Sequence, residues 1–264
     1  MAAIERLLEI MTKLRDPDGG CPWDLAQTYQ SIVPHTLEEA YEVAETIELQ
    51  DYAALCDELG DLLFQIVFYA QLAKEQGRFD FNDVVLAIAD KLERRHPHVF
   101  AGHQFESDEA RSQHWEQTKQ QERTAKQSSE TASQLDGITR TLPALSFARK
   151  LQSRAAQVGF DWPEVSGVFD KLHEEIDELR EAWTDPAQRA DELGDVLFTC
   201  VNLSRHAGED PEAVLRQANR KFEHRFRSME AIAAQKKQDL ANLDTEHLEQ
   251  LWQQAKQKPA LESI

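Results

Sequence analysis

Apolar residues recur along most of this chain at intervals of three and four, among Ala, Leu, Glu, Lys and Gln. That is the spacing of one face of an α-helix, built from good helix formers. The opening "MAAIERLLEIMTKLRD" follows the same rule, so it reads as an amphipathic helix and not as a signal peptide. Helix starts are marked where Asp185-Pro186 and Asp210-Pro211 each set an N-cap Asp before a Pro at the first helical position. Two segments, "LLFQIVFYA" (62–70) and "VLFTCVNL" (196–203), are apolar nearly all round, the mark of a buried helix. The pattern predicts an all-α fold of about ten helices and no strand. Residues 120–137 are polar, hold a Ser/Thr cluster and read as a linker between halves 1–119 and 138–264, about five helices each.

The halves repeat each other in order. "CPWD" (21–24) corresponds loosely to "FDWP" (160–163), "EEAYE" (38–42) to "EEIDE" (174–178) and "ELGD" (58–61) to "ELGD" (192–195). "KLERR" (91–95) then answers to "KFEHR" (221–225), and "WEQTK" (115–119) to "WQQAK" (252–256). A period near 134 residues is too long for a solenoid, so the chain reads as a duplicated helical-bundle domain.

The repeated carboxylates are the candidate chemistry. Glu174, Glu175 and Glu178 share one helical face, as do Glu192 and Asp195 on the next helix. The break "AWTDPAQ" between them folds the two helices into an antiparallel hairpin. Position 185 is then the midpoint of both Glu178/Glu192 and Glu175/Asp195. In the first half, position 50 is the midpoint of both Glu42/Glu58 and Glu39/Asp61. Each hairpin can therefore converge four carboxylates. Glutamate runs on helices are most often solvated faces, but these lead straight into buried helices, where facing carboxylates repel unless a cation sits between them. Oxygen ligands of this kind suit Mg²⁺, with Mn²⁺ as a substitute, and protein-bound Mg²⁺ commonly meets phosphate. Lys221 and Arg225, and their repeats Lys91 and Arg95, lie four apart on later helices, either as phosphate ligands or as salt-bridged faces. Trp252 and Trp115 follow, each a core anchor or a platform for a base.

Composition narrows the partners. A net charge of −19 argues against binding a nucleic-acid polymer, while leaving room for a small polyanion neutralised by cations. No run approaches the roughly 18 apolar residues of a membrane span. Three cysteines (Cys21, Cys56, Cys200), without a CxxC pair, suit a reducing cytoplasm.

With "LRDPDGGCPWD…QT" before the EExxE and ExxD motifs and "KLERRHPHVF" after them, the chain resembles the MazG-type nucleoside triphosphate pyrophosphohydrolases over nearly its whole length. The resemblance implies a two-domain all-α homodimer. It also implies Mg²⁺-dependent hydrolysis of ribo- and deoxyribonucleoside triphosphates, ATP among them, to monophosphate and pyrophosphate. Broad base tolerance and a role in cleaning the nucleotide pool go with it. Carried over by motif, Glu175, Glu178, Glu192 and Asp195 would ligate metal, and Glu174 would orient or deprotonate the attacking water. Lys221 and Arg225 would hold phosphate oxygens and Trp252 would flank the nucleotide. The matching first-half set is Glu38, Glu39, Glu42, Glu58, Asp61, Lys91, Arg95 and Trp115. The sequence has no Gly-rich P-loop, so metal must do the cradling.

The halves differ seven residues after the ELGD aspartate, where the second has Asn202 and the first Phe68. The family often places an Asn there to reach the site, which makes the second half the expected main catalytic one. Two other classes compete. A ferritin-like di-iron protein needs Glu-x-x-His on two helices, and only Glu93-x-x-His96 fits, with Pro97 ending its helix at once. A non-catalytic module docking partners through its acidic faces is the other alternative.

Overall fold

The computed structural model describes residues 3–126 and 133–257, and every regular element among them is helical. The chain divides into two compact units that part between Gln120 and Gln121.

The first unit holds α1 (Ala3–Leu14), α2 (Pro22–Ala26), α3 (Tyr29–Glu48), α4 (Tyr52–Glu75), α5 (Phe81–Arg95) and α6 (Pro97–Phe100). A seventh helix, α7 (Asp108–Lys126), runs through the division. α3 starts at a reciprocal cap: Thr28 Oγ1 accepts from the Ser31 amide at 3.2 Å and Ser31 Oγ from the Thr28 amide at 2.9 Å. The chain reverses at Gln50, which takes a left-handed φ of +57°. That conformation costs a non-glycine residue about 1 kcal/mol. Asp51 offsets the cost by capping α4, its Oδ1 accepting from the Ala54 amide at 3.1 Å. α3 and α4 then pack along each other, so position 50, about which the carboxylates are symmetric, is where the hairpin turns.

The core of this unit is Met11, Ile32, Val67, Phe68 and Leu72, with Leu7, Leu8, Tyr29, Leu63 and Phe64 packed around it. Arg15, just past α1, closes it. Its guanidinium grips Glu75 at the end of α4 with two bonds of 2.8 and 2.7 Å, donates to the Asp24 carbonyl, and lies 5.4 Å above the Phe68 ring. A single buried side chain thus joins α1, α2 and α4.

The second unit holds α8 (Ala144–Ala156), α9 (Val165–Glu181), α10 (Pro186–His206), α11 (Pro211–Gln235) and α12 (Thr245–Gln257). A 3-10 turn at Ala182–Thr184 joins α9 to α10, and Asp185 caps α10 by accepting from the Ala187 amide at 2.9 Å. Asp210 caps α11 through the Ala213 amide at 3.0 Å and takes Arg149 of α8 at 2.8 Å. α10 packs on both α9 and α8, and α11 on α12. Met229, Ile232, Ala233, Leu251 and Ala255 form the α11–α12 core. Large apolar side chains also stand exposed on α3 (Val33, Leu37, Tyr41), α10 (Leu193, Leu197, Phe198) and α11 (Phe222, Phe226).

Twelve α-helices stand among the described residues, against about ten expected. The surplus is α2 and α6, five and four residues long, too short to show a period. α7 carries on to Lys126, into the stretch read as a linker, because Gln, Glu, Arg, Ala and Lys sustain a helix. Residues 127–132 of that stretch lie outside the described residues.

Replacing Arg15 with Ala strands Glu75 and uncovers Phe68. Because Glu75 is 33% exposed, the loss falls short of a fully buried pair, about 2 kcal/mol in urea unfolding at neutral pH. The Arg15 hydrogen bond holds Glu75 below the usual carboxylate range, against the opposing effect of burial. Its stabilisation is therefore present above the ordinary carboxylate value and lost as pH falls through the native one. The difference between wild type and Arg15→Ala should shrink in acid.

Candidate active site

Helix geometry brings the acidic residues together. Glu39 of α3 and Glu58 and Asp61 of α4 each offer a carboxylate oxygen, and the three oxygens lie within 4.8 Å of one another. Glu175 of α9 and Glu192 and Asp195 of α10 repeat the arrangement. Glu42 and Glu178, the fourth expected members, are exposed one turn along their helices, where Glu42 acts on Glu39 and Glu58, and Glu178 interacts with Glu175 and Glu192. Glu38 and Glu174 are exposed as well.

The crowding is electrostatically costly. Burial and then the charges of Asp61 and Glu42 push Glu39 above the usual carboxylate range. Partial desolvation, followed by Glu42 and Asp61, does the same to Glu58. Glu178 is pushed up by desolvation, pulled back by Lys171, and pushed up again by Glu175, Glu174 and Glu192, with a net rise.

The two trios are neutralised differently. In the second half Lys171 Nζ donates to Glu174 at 2.8 Å and to Glu175 at 2.7 Å, and Glu175 is only 5% exposed. The hydrogen bonds to Glu174 and Glu175 hold the Lys171 ammonium above its ordinary value. The first half has His35 at the equivalent position, 3.7 Å from Glu38, and Gln65 donates a long bond to Glu39 at 3.4 Å. The Gln65 carbonyl oxygen is buried without a partner. The sequence reading missed Lys171. Its signal was K-x-x-E-E, which puts a cation three and four residues before the paired glutamates.

Asn202 and Phe68 turn out to serve different networks. Asn202 is 4% exposed, and its Oδ1 accepts from Arg205 Nε at 2.9 Å. Arg205 also donates to Asp161, which His206 Nε2 meets at 3.1 Å. Burial alone would raise the Asp161 carboxyl, but the bonds from Arg205 and His206 outweigh it and hold it low. The loop written "FDWP" is thereby fastened to α10, and the Asn202 amide is fixed with its NH₂ as the remaining donor. Phe68 is fully buried in the core beneath Arg15.

The expected phosphate and base ligands lie on the later helices. Lys221 is exposed and Arg225 half-buried, one turn apart on α11. Trp252 packs against the α11–α12 core, 5.4 Å from the Phe222 ring, with Lys256 Nζ 5.9 Å above it. Lys91 and Arg95 lie on α5, and the Arg95 guanidinium sits 5.4 Å from Trp115.

Three oxygens at this spacing, on rigid and partly desolvated helices, can hold a hard divalent cation with coordination positions left for water and phosphate. Neither trio contains a histidine. His96, the one candidate for a di-iron motif, spends Nδ1 on the Leu92 carbonyl at 2.7 Å.

Comparison with known proteins decides the family. Residues 27–100 match the MazG nucleotide pyrophosphohydrolase domain, and residues 144–222 match phosphoribosyl-ATP pyrophosphohydrolase. The chain is 52% identical over 262 residues to a nucleoside triphosphate pyrophosphohydrolase of Escherichia coli K12, covering 98% of both. The chain belongs to the MazG family of pyrophosphohydrolases. It is also 44% identical to the Thermotoga maritima MazG, over 96% of this chain and 95% of that one. Bacillus subtilis YabN is 39% identical over 94% of this chain and half of its own length. Each matched MazG-type segment contains one complete carboxylate trio.

Since Glu39 is pushed up, its contribution to stability is present below the usual carboxylate value and lost as pH rises through the native one. In chelator, Glu39→Gln should therefore raise the melting temperature at pH 7.5. The gain should disappear by about pH 4, where the native carboxyl is itself protonated. Differential scanning calorimetry across that range reads both.

Proposed function

We propose that this chain hydrolyses nucleoside triphosphates to nucleoside monophosphate and pyrophosphate, with Mg²⁺, or Mn²⁺ in its place, bound at Glu175, Glu178, Glu192 and Asp195. The observation that carries the reading is the Glu175–Glu192–Asp195 trio beside Lys171, in a chain of a pyrophosphohydrolase family. Both matched family descriptions name a pyrophosphohydrolase. The donor set fits the metal: all oxygen, anionic, and too crowded to be stable uncompensated.

When bound, the metal supplies charge neutralisation for the phosphates and for the leaving pyrophosphate. The remaining work falls to side chains. Glu174 holds and deprotonates the attacking water through its carboxylate, oriented by the hydrogen bond it accepts from Lys171. Lys171, Lys221 and Arg225 take phosphate oxygens, and Trp252 flanks the nucleotide. Asn202, held by Arg205, offers its NH₂ to substrate from the face of α10 that carries Asp195. In the first half Phe68 occupies that position, in the core, so we assign most of the turnover to the second half.

The apolar faces of α3, α10 and α11 support a homodimer, since a helical unit of this size buries its core poorly alone. Wide base tolerance and a role in clearing surplus or non-standard nucleotides complete the proposal. No helix among the described residues is long and apolar enough to cross a membrane. Cys21, Cys56 and Cys200 are free thiols, which suits a cytoplasmic enzyme.

Ion-exchange chromatography of products tests the reaction: NMP and pyrophosphate should form only with Mg²⁺ or Mn²⁺, and NDP with orthophosphate as first products would refute it. Glu175→Ala should cut turnover on the order of 10²–10⁴-fold, while Glu39→Ala keeps much of it. The opposite pattern in folded variants would reverse the assignment of halves. Light scattering at micromolar concentration should give a dimer near twice the 30.2 kDa chain mass.

A further inference from the structure

The second half fixes its Asn202 amide through a relay that the first half replaces. Asp161 lies between α8 and α9, and its Oδ1 takes three donors: the Trp162 amide at 2.9 Å, His206 Nε2 at 3.1 Å and Arg205 Nη2. Arg205 in turn directs its Nε to Asn202 Oδ1 at 2.9 Å. The Asp161, Arg205 and His206 side chains are only 24, 16 and 14% exposed, so water competes little for these bonds. The loop is held from its other side as well, because the Trp162 ring fills the space that a Cβ on Gly167 of α9 would need. It therefore bridges both helices of the acidic hairpin.

The matching positions of the first half differ together. Set residue against residue, Phe68 stands for Asn202, Gln71 for Arg205 and Pro22 for Asp161. Gln71 donates to Glu75 at 2.9 Å, and Trp23 meets His35 with ring centroids 5.9 Å apart. Packing of α10 does not call for the relay, since charged groups are costly to bury and Phe68 shows that the position accepts an apolar side chain. What the relay supplies is an orientation. An amide can turn either end forward until one end is engaged, and a guanidinium can only donate, so Arg205 commits Asn202 Oδ1. Asn202 Nδ2 has no acceptor among the described residues and is not sealed from solvent. Asn202 lies two turns beyond Asp195, about 10 Å by helical rise, so a nucleotide with its phosphates at the trio meets this amide with its nucleoside end.

We propose that Asp161 and Arg205 are positioning residues of the second-half site, which lock the Asn202 amide with its NH₂ toward an acceptor on the nucleoside part of the substrate. The proposal rests on the reading that turnover belongs to the second half. Neither residue touches the reacting phosphates, so their loss weakens substrate binding and leaves the chemical step intact.

Steady-state kinetics of the full chain with ATP and Mg²⁺ test it. Asn202→Ala and Asp161→Ala should each raise KM about fivefold, the size of one lost hydrogen bond, with kcat within about twofold of wild type. The double variant should be no worse than Asn202→Ala alone, because the relay then has nothing left to position. A merely structural role gives the contrary: losses that multiply in the double variant, with a lower melting temperature in both backgrounds. Arg205→Met keeps the aliphatic stem and removes the donor to the amide, so it should repeat the KM rise, and it decides the matter if Asp161→Ala does not fold. The proposal is overturned by a wild-type KM in Asn202→Ala, by a wild-type KM in the folded relay variants, by a fall in kcat with KM unchanged, or by multiplying losses. Failure of the reading beneath it would show separately, as turnover that survives Glu175→Ala and is lost in Glu39→Ala.

Discussion

Like charge held at short range is the constraint on which the rest of this structure depends. Three carboxylate oxygens within 4.8 Å of one another repel strongly, and only rigid neighbours keep them there. The rigidity comes from the helix that follows each ELGD motif. Val67, Phe68, Ala70, Leu72 and Ala73 in α4, and Val201 with Asn202 in α10, are buried, so the carboxylate-bearing turns cannot swing away without opening a core. Caps at Asp51 and Asp185 set where each of these helices begins, and so the register of its acids against those of the preceding helix.

Duplication let the two copies resolve that repulsion in separate ways. The second places Lys171 on Glu174 and Glu175, a charged partner already aimed at the site. The first offers a long amide bond from Gln65, and burial and neighbouring charge raise Glu39 and Glu58. Position 68/202 diverged in step. Phe68 joins the core under Arg15, while Asn202 is tied through Arg205 to Asp161. In one copy an arginine seals packing, and in the other it orients an amide beside a family-typical acidic site.

Much of the fold and of the acidic site was legible in the sequence because it is local or repeats. Helical period, Asp-Pro starts and the symmetry of acids about positions 50 and 185 need only the geometry of one helix and one turn. The burial of Glu175 beside the exposure of Glu178 was not legible, because symmetric spacing sets the level of a residue on a hairpin and not the direction in which its side chain leaves the helix. The packing of Trp252 on Phe222 and the α11–α12 core was likewise not legible, since it depends on how two helices meet.

By itself, then, the sequence determined the class of helices, the duplication and the family, since motif order and the 3.6-residue period are written along the chain. Tertiary structure alone decided which groups answer the acids. Arg15 meets Glu75 across 60 residues, and Arg205 meets Asp161 across 44. Such pairings depend on how packed helices approach one another, and a periodic pattern holds no information about partners so far apart.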